Sequence, residues 1–279
     1  MVKVDGLFVY PVKSCAGIPY AEAALLETGL AHDRQWMLVD ADGHFMTQRA
    51  YPAMASIQTA LEDGYLVLRA PGMADTTKVP IADFDCKAAP RLQTRVWKTT
   101  VETLVEHAGV NEWLCQYLGQ AVRLVRADPG FRRVCEGVAG MGEDVTTWLS
   151  DRHPLLVISQ ASLNELNQRL ARHGEKPVAM QRFRPNIVLD DAVLAPHDED
   201  DMALLRGPDY VLSMIAPCAR CTIPNLNVAE GIFEAEPART MREYRLNRKG
   251  DNVLFGMHAF VKTGAGRATI RVGDALVPE

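Results

Sequence analysis

The chain encodes a strand-rich α+β fold. Period-two alternation runs through most of the first 125 residues, the apolar runs of the second half are strand-sized, and helical periodicity is confined to a few short segments. The opening "MVKVDGLFVYPVKS" alternates from its second residue. "RQWMLVDADGHFMTQ" places two alternating arms around Asp42-Gly43, a dipeptide that tolerates the positive φ of a tight hairpin turn. "LEDGYLVLRAPG" and "TRVWKTTVETLV" continue the pattern. In "GVNEWLCQYLGQ", Val110, Trp113, Leu114, Tyr117 and Leu118 share one face of a helix, which is expected to close a first domain.

The glycine- and charge-rich "RADPGFRRVCEGVAGMGEDV" has no clear period and reads as a long connection. The domain boundary is placed near Leu124, giving units of residues 1–124 and 125–279. In "SLNELNQRLARHG", Ser162 and Glu165 form a capping box, Leu163, Leu166 and Leu170 an apolar stripe, and Gly174 a stop. The strands "FRPNIVLD" and "DYVLSMIA" follow. A helix-like "ARTMREYRLNRKG" and closing strands in "NVLFGMHAFVK" and "ATIRVGDALV" complete the chain.

Composition excludes several function classes. A net charge of −5 argues against nucleic acid as the main partner, since a phosphate polymer requires a broad basic surface. No apolar run reaches the roughly 20 residues of a membrane helix, and the N-terminus lacks the pattern of an export signal, so a cytoplasmic protein without a membrane partner is expected. Four of the six cysteines are scattered; Cys218 and Cys221 form a C-x-x-C in "IAPCARCTIPN". Such a pair serves as half of a zinc site, as a dithiol, as buried packing, or as the source of one thiolate for a soft metal. Zinc wants a second ligand pair, which the sequence lacks. A dithiol wants a helix directly after the first cysteine, where "TIPNLN" offers proline and asparagine instead.

"YPVKSCAG", "HDRQWMLVD", "RFRPNIVLD", "PCARCTI", "LFGMHAFV" and "IRVGDAL", in this order, resemble the MOSC-domain molybdenum-cofactor proteins, and most closely the amidoxime reducing components and their YcbX-like bacterial relatives. The resemblance spans nearly the whole chain and implies an N-terminal MOSC-N β-barrel domain ahead of a MOSC domain with a β-barrel core and peripheral helices. It implies that Cys221 is the protein ligand of molybdenum, a soft thiolate suited to a metal already held by dithiolene sulfurs. It also implies that Lys13, Ser14 and Arg34 hold the cofactor phosphate and that Arg184 and Asn186 contact phosphate or pterin. Cys218 is expected to be structural. His258 and His153 stand where the family pattern differs, and imidazole is the natural proton donor near neutral pH, so both are candidate catalytic residues.

The implied reaction is a two-electron reduction of the N–O bond of hydroxylamines, amidoximes or N-hydroxylated bases. Some relatives carry a C-terminal iron–sulfur domain with a C-x₄-C-x₂-C signature. That spacing is missing from this sequence, so a separate electron donor is expected, a ferredoxin, flavodoxin-type or cytochrome protein. Arg239, Arg242, Arg245, Arg248 and Lys249 are a candidate docking stripe if their segment is helical. The rival reading is a sulfur or molybdenum-cofactor carrier, with a persulfide on Cys221.

Overall fold

The computed structural model describes residues 1–135 and 145–279. Its centre is a closed barrel of seven strands: β1 (Val2–Val9), β2 (Leu155–Ser159), β3 (Ile187–Asp190), β4 (Leu204–Arg206), β5 (Val211–Ala219), β6 (Leu254–Thr263) and β7 (Ala275–Pro278). Around the barrel the order is β3-β2-β6-β5-β4-β7-β1, and β1 pairs back onto β3. Only β2 and β3 run parallel.

Three helices stand among the described residues: α1 (Ala108–Leu118), α2 (Gln160–Arg172) and α3 (Ala238–Arg242). Parallel neighbours need a crossover rather than a hairpin, and α2 is that crossover, burying Leu163, Leu166 and Leu170.

The barrel is filled by alternate residues of its strands, including Val157, Ile187, Leu205, Leu212, Met257, Ala259 and Leu276. In β1 the inward set changes phase: Val2 and Val4 point in, and then Leu7 and Val9 do. The pairing shows why. Val4 faces Leu189 and Gly6 faces Val188, so one extra residue bulges out of β1 and shifts the alternation by one. Phe8 thereby faces the outer cluster around Leu156, Ile158, Phe183 and Phe255.

The other large unit is a four-stranded sheet, Trp36–Val39, Arg123–Ala127, Thr99–Val105 and Arg91–Val96 in that order, with a meander of Gln58–Glu62, Tyr65–Arg69 and Thr77–Pro80. Helix α1 buries Val110, Trp113 and Leu114, is capped by His107 and stops at Gly119, whose φ is +68°. Glu106 and Arg126 form an ion pair at 2.5 Å inside this unit, with side chains 0% and 2% exposed. Trp36 Nε1 also donates to Glu106, and Arg126 reaches the carbonyls of Pro80 and Ile81.

Leu124, the expected boundary residue, lies in Arg123–Ala127 of the four-stranded sheet, and β1, from the first expected unit, belongs to the barrel. The apolar face of β1 is completed by barrel strands far along the sequence, together with Ala23, Leu25 and Leu30. The second arm after Asp42-Gly43 makes isolated bridges instead of a strand. Helix α2 begins three residues early: Ser159 is its cap, accepting from the Ser162 N–H at 3.1 Å, and both serine hydroxyls donate to the fully buried Glu199. Ser159→Ala is expected to cost about 1–2 kcal/mol by removing the cap and one donor to that carboxylate; a denaturation midpoint equal to the parent's would refute this.

Helix α3 is one short turn, after which Leu246 bridges to Val253, so the basic residues do not form a helical stripe. Arg239 is paired with Glu236 and Glu175, and Arg245 with Asp200. The long connection is pinned by the pairing of Arg133–Val134 with Thr146–Thr147, while its residues 136–144 lie outside the described residues. No helix among the described residues is long and apolar enough to cross a membrane.

Candidate functional site

Outside the barrel, between its wall and the first sheet, lies a cavity of about 680 Å³. It brings together all eight residues singled out above: Lys13, Ser14, Arg34, His153, Arg184, Asn186, Cys221 and His258. Among the described residues, eight Lys and Arg side chains line it against a single carboxylate, Asp151, so the cavity is built for anions. Ser14, Arg34, Trp97 and Arg184 line it with φ between +48° and +68°. Such strain in non-glycine residues persists only where surrounding structure enforces it, and it concentrates at functional sites.

One wall is a paired-guanidinium cluster. Arg34 Nη1 donates to Asp33 at 2.5 Å and to Asn186 Oδ1 at 3.1 Å, and Nη2 donates to the Arg184 carbonyl. Arg184 donates to the Cys15 carbonyl at 2.7 Å. Both guanidiniums lie over the buried Tyr10 ring, 4.3 and 4.2 Å from its centroid. Burial, together with the charge of Arg34, pulls Arg184 down to about 10. The cluster has too little negative charge for two buried cations, the electrostatic condition that a bound phosphate relieves.

Asn186 is a positioning residue. Its amide oxygen accepts from Arg34 and from Leu156 N–H, and its nitrogen donates to the Phe8 carbonyl. With both ends engaged, it fixes Arg34 and stitches β1 to β2.

Lys13, within electrostatic reach of Arg34, is buried and donates to the Leu149 carbonyl at 2.9 Å and to Asp151. Desolvation opposes the charge on Asp151, yet Lys13, helped by Trp97 and Arg49, holds it well below the usual carboxylate range. Trp97 Nε1 donates to the same Asp151 oxygen at 3.1 Å.

The thiol arrives at the end of β5. Pairing of β5 with β6 is irregular between Met214 and Ala216 and again between Pro217 and Ala219, the kind of break that re-aims a strand end toward a site. Both cysteines line the cavity; Cys218 is buried in the cluster of Leu156 and Phe255, whereas Cys221 is exposed. Arg220 between them is anchored to the Phe183 carbonyl at 2.8 Å and reaches Cys218 Sγ at 3.3 Å.

A three-residue 3₁₀ turn, Ile223–Asn225, follows in place of a helix, so the dithiol reading loses its structural basis. Among the described residues, the side chains gathered as a cation site are Asp40, Asp42 and His44 on a surface turn, with no such group at the cysteine pair. The zinc reading loses its basis with it.

His258 projects from β6 on the face opposite Met257 and Ala259, and its ring centroid lies 4.6 Å from that of His153. Its Nδ1, like Arg220 Nε, is buried without a hydrogen-bond partner among the described residues. Burial, with Arg220 and Arg152 nearby, holds His258 down to about 4; burial with Arg245 and Arg169 does the same for His197. The unfolded chain binds these protons near the ordinary histidine value, about 6.5. The stability that both neutral rings contribute is therefore complete above about pH 6.5 and lost as pH falls toward 4. Urea midpoints are expected to drop across that window, and less steeply for His258→Gln; equal slopes would rule the contribution out.

Arg49, Trp97 and Asp151 escaped the sequence reading. Trp97 carried a weak signal, a tryptophan at a hairpin tip where turn-forming residues are usual; nothing marked Arg49 or Asp151.

Residues 1–121 match the MOSC N-terminal beta barrel domain and residues 144–277 the MOSC domain. Over 98% of its length the chain is 31% identical to mitochondrial amidoxime reducing component 2 of Rattus norvegicus and 32% identical to component 1 of Homo sapiens, covering 82% of each. Over 99% of its length it is 30% identical to the molybdenum cofactor sulfurase of Oryza sativa subsp. japonica, of which it spans 35%. By its two domain matches and its near-full-length similarity to the amidoxime reducing components, the chain belongs to the family of MOSC-domain proteins that contains them.

Proposed function

We propose that the protein is a molybdenum-cofactor-dependent reductase of N-hydroxylated compounds that receives electrons from a separate donor protein. The observation that carries this reading is the exposed Cys221 thiol opening onto the same cavity as the charge-deficient Arg34–Arg184 cluster. A metal-bearing group with a phosphate tail requires one soft ligand and one buried anion site, and these residues fit both demands. When bound, the group supplies the two-electron reduction of an N–O bond, releasing amine or amidine and water.

On this reading the chain's own residues take the following parts. Cys221 offers the thiolate. Arg34 and Arg184, with Lys13 and Ser14, hold the phosphate, and Asn186 keeps Arg34 in place. His258 Nδ1, unpartnered and beside His153, is the atom placed to hold or pass a proton. All six cysteines are free, which suits a reducing cytoplasmic setting.

Protein produced in a cofactor-competent host is expected to contain close to one molybdenum and one pterin per chain. The similarity to cofactor sulfurases supports one rival, a sulfur carrier. Absence of both metal and pterin from folded protein, with a persulfide found on Cys221 by mass spectrometry, would establish that rival instead.

A further inference from the structure

The cofactor reading leaves part of the cavity unused. Lys13, Arg34, Arg184 and Arg220 are each anchored by protein oxygens deep in the wall. At the mouth, Arg49, Lys98 and Arg152 also line the cavity, and among the described residues none has a carboxylate within ion-pair distance. Asp151, the one acid there among the described residues, is already held by Lys13 and Trp97.

Between these cations stands Trp97, 46% exposed, at the tip of the hairpin formed by Arg91–Val96 and Thr99–Val105. Its φ of +55° is costly for a bulky residue. Its indole is nevertheless fixed, by the hydrogen bond to Asp151, by Phe45 at 5.1 Å and by the Arg49 guanidinium at 4.7 Å. A strained, immobilised and exposed aromatic ring beside unneutralised cations pairs an apolar planar contact with an anion contact.

We propose that this mouth is a substrate-reading subsite, in which Trp97 takes the planar face of an aromatic N-hydroxylated substrate while Arg49, Lys98 and Arg152 take an anionic group attached to it. The preferred class is then an N-hydroxylated aromatic base carrying a phosphate, over its neutral counterpart. The inference rests on the reductase reading.

The test uses cofactor-loaded protein with a small-molecule reductant, so that no donor protein intervenes. N6-hydroxyadenosine 5′-monophosphate is expected to exceed N6-hydroxyadenosine in kcat/KM by about tenfold at low salt, through KM. The ratio shrinks toward unity near 0.5 M NaCl, where exposed charges are screened over a few ångströms. In the double variant Arg49→Ala, Arg152→Ala the ratio falls toward unity, with molybdenum and pterin content as in the parent. Trp97→Ala raises KM for both compounds, and Trp97→Phe restores much of it.

Equal kcat/KM for the two substrates in the parent protein overturns the proposal, as does a ratio unmoved by the double variant. Loss of pterin in that variant also overturns it, because the cations would then serve the cofactor. So does a raised KM for a donor protein with the substrate ratio intact, which would make the mouth a docking surface. If neither compound is reduced, the reductase reading fails, and calorimetric binding of adenosine monophosphate against adenosine still decides the subsite: tighter binding of the monophosphate supports it and equal binding overturns it.

Discussion

Cys221→Ser is expected to lower donor-driven reduction of a hydroxylamine by more than about 100-fold. Changes to the groups that merely orient a metal's ligands commonly cost 10–100-fold, and this one exchanges the soft ligand itself for a hard hydroxyl. The thermal midpoint should barely move, because the side chain is exposed and packs against no core cluster. Cys218→Ser should do the reverse. That thiol is buried in the outer cluster, so a hydroxyl there costs stability before it touches chemistry. The pair separates ligand from packing in one experiment: equal activity in parent and Cys221→Ser, both loaded with molybdenum, would remove the thiolate from the proposal. An activity loss only in Cys218→Ser would move the ligand three residues upstream.

Glu106→Ala is expected to destabilise the protein by about 3–5 kcal/mol, because it strands the Arg126 guanidinium in a site from which water is excluded. For a chain of this size that corresponds to a fall in melting temperature of roughly 6–20 °C. The loss also removes the acceptor of Trp36 Nε1. Replacing both partners by apolar residues, Glu106→Leu with Arg126→Met, should recover most of it, since the pair's own attraction is largely offset by its desolvation. A double variant as unstable as the single one would show instead that the guanidinium's bonds to the Pro80 and Ile81 carbonyls matter more than its charge balance.

Elements specified by local chemistry could be read from the sequence, and those specified by distant partners could not. The strand pattern of "LEDGYLVLRAPG" and the stripe of α2 need only nearby residues, and both are present, whereas the second arm of the Asp42-Gly43 hairpin makes only isolated bridges. The start of α2 was misread because Ser162, a plausible cap, is turned inward to serve Glu199, far along the chain. The segment after Ala238 carries helical spacing of basic residues, but Leu246 pairs with Val253 and the helix ends early. The candidate site was legible mainly through its resemblance to a known family. On bare sequence, Lys13 and Arg34 look like surface charges, and only the fold shows them buried or nearly so. Asp151 carries no sequence signal and Trp97 only a weak one, because each matters through a bond to the other, across segments that no periodicity connects.

The barrel is closed by its first strand. Residues 2–9 are made well before their barrel partners, Ile187–Asp190 and Ala275–Pro278; of the strands they pair with, only Ile18–Tyr20 follows them closely. Until Ile187–Asp190 and Ala275–Pro278 are both made, the barrel has an open seam and part of β1 lacks its strand partners, leaving Val2, Val4, Leu7 and Val9 without their core, a template for pairing with other nascent chains. Closure at such long sequence separation makes folding slow. Yield in a heterologous host should therefore respond to temperature and chaperone supply more than to the stability of the finished protein.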